Sequence, residues 1–225
     1  MITINSCSQF KFYNPAAVRN MLTDSRNARV TDDTLVGHMD PFYDECRAYG
    51  RISEHLGKRK GSVAVSCHGF LGIPTSHEAT LEKVSKWDRP TKSTLDPSQW
   101  QPFRALVKDL VEAADDVPTS SRQLSGILRD LRALRRMRVY PMDVCARKYR
   151  GGRLVNFGVA FSVAWTTPHF MFRVCPRWQV DRLYKQLDLA YFDTMVEELG
   201  VSTTIRVTPN QEYPLTRRVT SICYR

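Results

Sequence analysis

The sequence has no glycine before Gly37 and no GxGxxG anywhere. A glycine-rich loop that cradles phosphates is therefore not readable in it. Its six cysteines, at 7, 46, 67, 145, 175 and 223, contain no CxxC pair, which excludes zinc-cluster spacing. A chain of 225 residues needs no disulfide framework, so reduced thiols and an intracellular setting, nucleus or cytoplasm, are expected. No apolar run is long enough to cross a bilayer, and no membrane partner is expected. The opening "MITINSCSQFKFY" lacks the basic-then-apolar order of a secretory signal. There is no internal repeat and no low-complexity tract. With 42% hydrophobic and 25% charged residues, nothing argues for disorder, and one large domain or two small lobes can form a core.

Charge, by contrast, is plentiful and one-sided. Lys plus Arg total 33 against 23 acids, a net of +10. Between Thr119 and Arg153 stand nine arginines and Lys148 against Asp130 and Asp143, a local net of +8. Such a segment is either a solvated helix face or a patch for an acidic protein surface, a phosphate or nucleic acid.

Periodicity predicts the elements. "FKFY" reads as a short strand, with a helical stretch around Ala16 to Leu22 inside a mixed polar region. Asp40 and Pro41 form an N-cap and first-turn pair, and Phe42, Cys46, Tyr49, Ile52 and Leu56 then mark one helix face up to Gly57. "SVAVSCHGFLGI" predicts a strand, with His68 buried in it, and "FRALVKDLV" a second. Ser120 or Ser121 caps a helix whose stripe is Leu124, Ile127, Leu128, Leu131, Leu134 and Met137. Two short strands surround "RLVNFG", and a long helix spans about Trp178 to Leu199. Its apolar face is Val180, Leu183, Tyr184, Leu187, Tyr191, Met195 and Leu199. This order predicts an α+β fold with a sheet-rich first half and a helical second half.

The stretch "RVYPMDVCARKYRGGRLVNFGVAF" carries the candidate chemistry. In this order of elements it stands where a protein kinase has its catalytic loop and metal-binding turn. Asp143 takes the place of the catalytic aspartate, and Asn156-Phe157-Gly158 the place of Asp-Phe-Gly. Glu45 is the candidate for the helix glutamate that pairs with a strand lysine, and Lys11 is a displaced candidate for that lysine. The expected architecture is protein-kinase-like, with a reduced N-terminal sheet lobe (1–112, long loop 74–100) and a mainly helical C-terminal lobe (113–225). Phe10, Phe12, Val63, Val65, Leu106 and Val107 should line one small sheet, with the Pro41–Leu56 helix beside it.

"HMDPFYDECRAYGRI", "QPFRALVKDL", "RVYPMDVCARKYRGGRLVNF" and "TTPHF" also resemble a fungal kinase-like family, that of the kinetochore subunit Fta-two of the Sim-four complex. The resemblance runs from about Phe10 to Leu199 and implies a degenerate kinase-like fold and a kinetochore role. Where that family commonly shows "LVDF" and Arg-Asn-Tyr, this chain has "LVNF" and Arg147-Lys148-Tyr149.

Those departures bear on chemistry. Lys148 stands where a kinase holds a second magnesium with asparagine. Asn156 offers one neutral oxygen where magnesium wants an anion. Pro141 and Met142 replace the usual histidine and arginine. Three readings follow. The first is a catalytically degenerate interaction or scaffold module. It needs no cofactor and binds an acidic protein surface through Arg132, Arg136, Arg147, Lys148 and Arg150. The second is an active atypical kinase using Asp143, Asn156 and Glu45, with ATP and magnesium. The third is nucleic-acid binding through the basic segment 122–153. No cysteine or histidine pair stands at metal spacing, and His169 in "TTPHF" reads as a packed loop residue.

Overall fold

The computed structural model describes residues 31–57, 63–77, 80, 83, 103–111, 118–158, 160–162, 177–202 and 204–205. The "FKFY" strand, the Ala16–Leu22 helix, Lys11, His169 and most of the 74–100 loop lie outside the described residues.

Two helices come first, α1 (Asp32–Met39) and α2 (Pro41–Leu56). The mixed polar pattern up to Val36 predicts no helix where α1 stands. Helix α2 starts as its sequence dictates: the Asp40 carboxylate accepts from Phe42 N at 2.9 Å, Pro41 fills the first turn, and Gly57 closes the end. Ala48, Tyr49 and Ile52 are buried on its inner face, and so is Glu45.

Strands β1 (Cys67–Ile73) and β2 (Phe103–Lys108) pair antiparallel, with Cys67 opposite Lys108 and Ile73 opposite Phe103. The expected sheet needs correction here. Val63 and Val65 are buried but precede β1 rather than joining it, and Val65 N donates to Leu154 O at 3.0 Å. The backbone there spends its hydrogen bond on the second half of the chain, through a parallel bridge from Ala64 to Leu154. His68 also departs from expectation. It is exposed, and its Nε2 lies 2.6 Å from Asp109 Oδ1. Alternation along the strand, with Val65, Cys67 and Gly69 on the inner side, turns His68 outward.

Helix α3 (Ser121–Arg136) opens on a capping box, Ser120 with Gln123. Its stripe Leu124, Ile127, Leu128, Leu131 and Leu134 is buried throughout, and the capping Met137 with it. Each such side chain contributes roughly 1.5–3 kcal/mol on leaving water. Then come β3 (Val139–Tyr140), β4 (Tyr149–Arg150), β5 (Arg153–Leu154) and β6 (Phe161–Ser162). β3 pairs with β6 and β4 with β5, both antiparallel. The two-residue turn of the β4–β5 hairpin is Gly151-Gly152, with φ of 54° and 72°. That left-handed pair is what a twisted two-residue hairpin requires and what side-chain-bearing residues resist.

Helix α4 (Arg177–Glu198) closes the described fold, burying Tyr184, Leu187, Phe192, Met195 and Val196. One apolar cluster joins α2, Val63–Val65, α3, the β4–β5 hairpin, Phe157 and α4. Tyr49 meets Phe157 edge-on with ring centroids 5.1 Å apart. The apolar cluster therefore crosses the 112/113 boundary, and Glu45, Lys108, Val155 and Phe157 meet beside it.

Candidate functional site

The centre of the site is Glu45. A glutamate on a buried helix face is costly unless its charge is met. Lys108, the last residue of β2, puts its Nζ 2.5 Å from Glu45 Oε1 and 2.9 Å from Val155 O. The same Nζ stands 5.5 Å from the centroid of the Tyr49 ring. Phe157 N donates to Glu45 Oε1 at 3.0 Å. One carboxylate oxygen thus ties α2, β2 and the Asn156–Gly158 turn together. The lysine that meets Glu45 is Lys108, which the sequence reading passed over while looking before the helix, at Lys11. The signal was there: a lysine follows the apolar "ALV" in the predicted strand.

The Asn156 side chain serves its own turn. Its Oδ1 accepts from Gly158 N at 2.7 Å. A Cβ at position 158 would sit 3.1 Å from that oxygen and 3.4 Å from Pro41 Cβ, so glycine permits the close approach.

Asp143 lies on the loop after β3. A 3-10 turn, Ala146–Lys148, folds the chain back, with Lys148 N donating to Cys145 O at 3.0 Å. Lys148 Nζ then lies 3.0 Å from Asp143 Oδ2, and Arg147 stands further off at 3.7 Å. Lys148 is buried, which corrects its expected role on a partner-binding surface: its charge is directed inward, to Asp143. Partial burial alone would raise the Asp143 pKa, but the hydrogen bond and charge of Lys148 outweigh it and hold the carboxyl below its ordinary range.

Asp188, midway along α4, holds the same loop from behind. Its Oδ1 accepts from Met142 N at 2.8 Å. Met142 has a φ of 64°, unusual for a side chain of its kind, so this bond fixes a strained residue. Burial pushes the Asp188 pKa up to about 8, against the pull of the Met142 amide and Lys148. The sequence reading missed Asp188, although an acid beside Leu187 and four residues after Tyr184, inside an apolar stripe, is a legible anomaly.

Asp143 is thus paired with an ammonium, and Asn156 with a backbone amide. Among the described residues no group of three His, Cys, Asp or Glu could hold a metal ion.

Arg132 and Arg136 are exposed on α3, as the apolar stripe required, and Arg147 is exposed on its loop. Arg150 is half-buried, and its Nη1 donates to Tyr149 O at 3.1 Å. Arg135 and Lys185, absent from the expected set, stand beside Arg132 in a cleft between α3 and α4. No described helix is long and apolar enough to cross a membrane.

Residues 8–161 match the family described as kinetochore Sim4 complex subunit FTA2. No curated protein and no solved structure matches the chain.

Proposed function

The chain belongs to the FTA2 family of kinetochore Sim4 complex subunits, and from that premise we propose that it is a non-catalytic, protein-kinase-like interaction module of a nuclear kinetochore assembly. The observation that carries the non-catalytic part is the buried Lys148 Nζ, 3.0 Å from Asp143. In phosphoryl transfer this aspartate must accept a hydroxyl proton, with a metal held nearby. An ammonium bonded to it lowers its basicity and adds positive charge where a metal would have to sit. The Asn156 oxygen, turned onto Gly158 N, adds no anionic ligand.

What supports the kinase-like part is the relation of elements. A buried helix glutamate meets a strand lysine and the backbone of an Asn-Phe-Gly turn, and an aspartate of a later helix holds the loop that carries Asp143. These contacts keep the shape of a phosphotransfer site while its reacting groups are paired off. A shaped but unreactive surface is suited to binding protein partners, and the exposed arginines of α3 favour partners that are acidic.

The Lys108–Glu45 pair is the one observation that favours the alternative, an active atypical kinase. Thermal denaturation with ATP and magnesium separates the two. A ligand at 100 times its Kd adds about 2.7 kcal/mol, which raises Tm by roughly 5–10 °C in a chain of this size. No shift is expected. A rise seen with ATP and magnesium together, but with neither alone, overturns the non-catalytic reading.

A further inference from the structure

We propose that the cleft between α3 and α4 docks an acidic peptide segment of a protein partner, whose carboxylates are taken by Arg132, Arg135 and Lys185. This deepens the interaction-module reading and rests on it. The cleft has a volume of about 270 Å³ and is lined by Leu131, Arg132, Arg135, Lys185, Asp188 and Leu189. Arg132 and Arg135 are three residues apart, so they share a helix face, and both are exposed. Lys185 faces them from α4, with exposed Arg182 one turn earlier. None of Arg132, Arg135 and Lys185 is ion-paired to another described residue.

The charge lining is one-sided in effect. Asp188 is the only acid in it, and burial with a pKa of about 8 leaves it mostly uncharged at neutral pH. One of its oxygens is already bonded to Met142 N. An incoming carboxylate therefore meets three cations and little opposing charge. Arginine forks bind carboxylates in two parallel bonds, which fixes orientation as well as charge. Leu131 and Leu189 offer an apolar strip for the stems and neighbours of the acidic residues. Nucleic acid fits less well, since no aromatic side chain lines the cleft and none can stack on a base.

The test is fluorescence anisotropy with the full chain. The probes are a fluorescein-labelled peptide of Glu and Asp interspersed with Leu, its Gln and Asn counterpart, and labelled duplex DNA. The acidic peptide should bind and the amide peptide should not. Arg132→Ala with Arg135→Ala should weaken binding about 10- to 100-fold, and Lys185→Ala about 3- to 10-fold. Arg132→Gln with Arg135→Gln, which keeps much of the stems, should reproduce the loss. Arg122→Ala with Arg153→Ala, exposed changes outside the cleft, should alter binding less than about 2-fold. The proposal fails if the acidic peptide does not bind, if the control pair costs as much as the cleft pair, or if DNA binds more tightly through the same three residues. Co-purification with the other subunits of the complex keeps this failure distinct. If the cleft variants still co-purify while peptide binding is absent in every form, the cleft assignment falls and the module reading stands. If the unaltered chain does not co-purify, the module reading itself falls.

Discussion

Two lysine–carboxylate pairs lie close together in this molecule and do different work. Lys108–Glu45 joins residues 63 positions apart, and both side chains are largely buried, at 19% and 11% exposure. Lys148–Asp143 joins residues five apart; its lysine is as buried as the first pair, at 9% exposure, but its carboxylate is 36% exposed. In the first pair both partners are largely withdrawn from water, so each depends on the other for its charge. The second can lose a partner to solvent. The long-range pair is thus structural, while the local pair sets the charge of a loop. Chemistry that the sequence placed at one locus is divided between a fixed centre and an adjustable rim.

The largest way to break the comparison is Lys108→Met. It leaves Glu45 buried with only the Phe157 amide and should cost about 3–5 kcal/mol in urea denaturation. Adding Glu45→Leu should recover part of that loss in a double-mutant cycle, since it removes the unpaired charge but leaves the buried Phe157 amide without its acceptor. A smaller effect is expected at Asp188. Asp188→Ala orphans the Met142 amide and should cost about 1–3 kcal/mol, whereas Asp188→Asn keeps an acceptor and should cost less.

Asp188→Asn also sharpens the pH dependence. A carboxyl raised to about 8 in the folded state contributes stability that is fully present below about 4. That contribution is lost as pH rises from there through about 8. Between pH 5 and 8 the Tm of the Asn variant should fall less steeply than that of the unaltered chain. Asp143 acts in the opposite sense. Its lowered pKa gives stability that is present at neutral pH and lost as pH falls through its folded value. The smallest effect sharpens the contrast at the rim. Asp143→Ala leaves the buried Lys148 ammonium without its carboxylate, but it opens a third-exposed site through which water can reach that charge, so it should cost about 1–2 kcal/mol, less than Lys108→Met. It should leave membership of the complex unchanged in co-purification.

Much of this was legible because local rules agreed with the fold. Asp40, Pro41 and Gly57 bounded α2, Ser120 and Gln123 opened α3, and Gly151-Gly152 demanded the hairpin. The apolar stripe of α3 alone forced its arginines outward. Glu45 was legible as an acid on an apolar helix face, and it meets the backbone of the Asn156–Gly158 turn at Phe157 N. What could not be read was pairing at a distance. Lys108 and Asp188 stand out locally, one ending a strand and the other inside an apolar stripe, but only tertiary packing names Glu45 and Met142 as their partners. Lys148 misled for the converse reason: in a basic segment nothing local distinguishes the one cation that turns inward. Val63 and Val65 looked like a strand because β-branched residues suit any buried extended chain, and only Leu154 decides where their hydrogen bonds go.

The bond from Met142 to Asp188 has a consequence for the order in which the chain organises itself. A non-glycine residue at a φ of 64° gains nothing from its local sequence, so the loop before Asp143 has little reason to take its final shape early. The acceptor that rewards that shape arrives 46 residues later, on α4. Closing so long a separation is slow compared with turning a helix, so the loop should set late, when α4 docks. Once set, the Met142 amide can exchange its hydrogen with water only when α4 lifts away, which makes that one proton a clock for the opening of the whole second half.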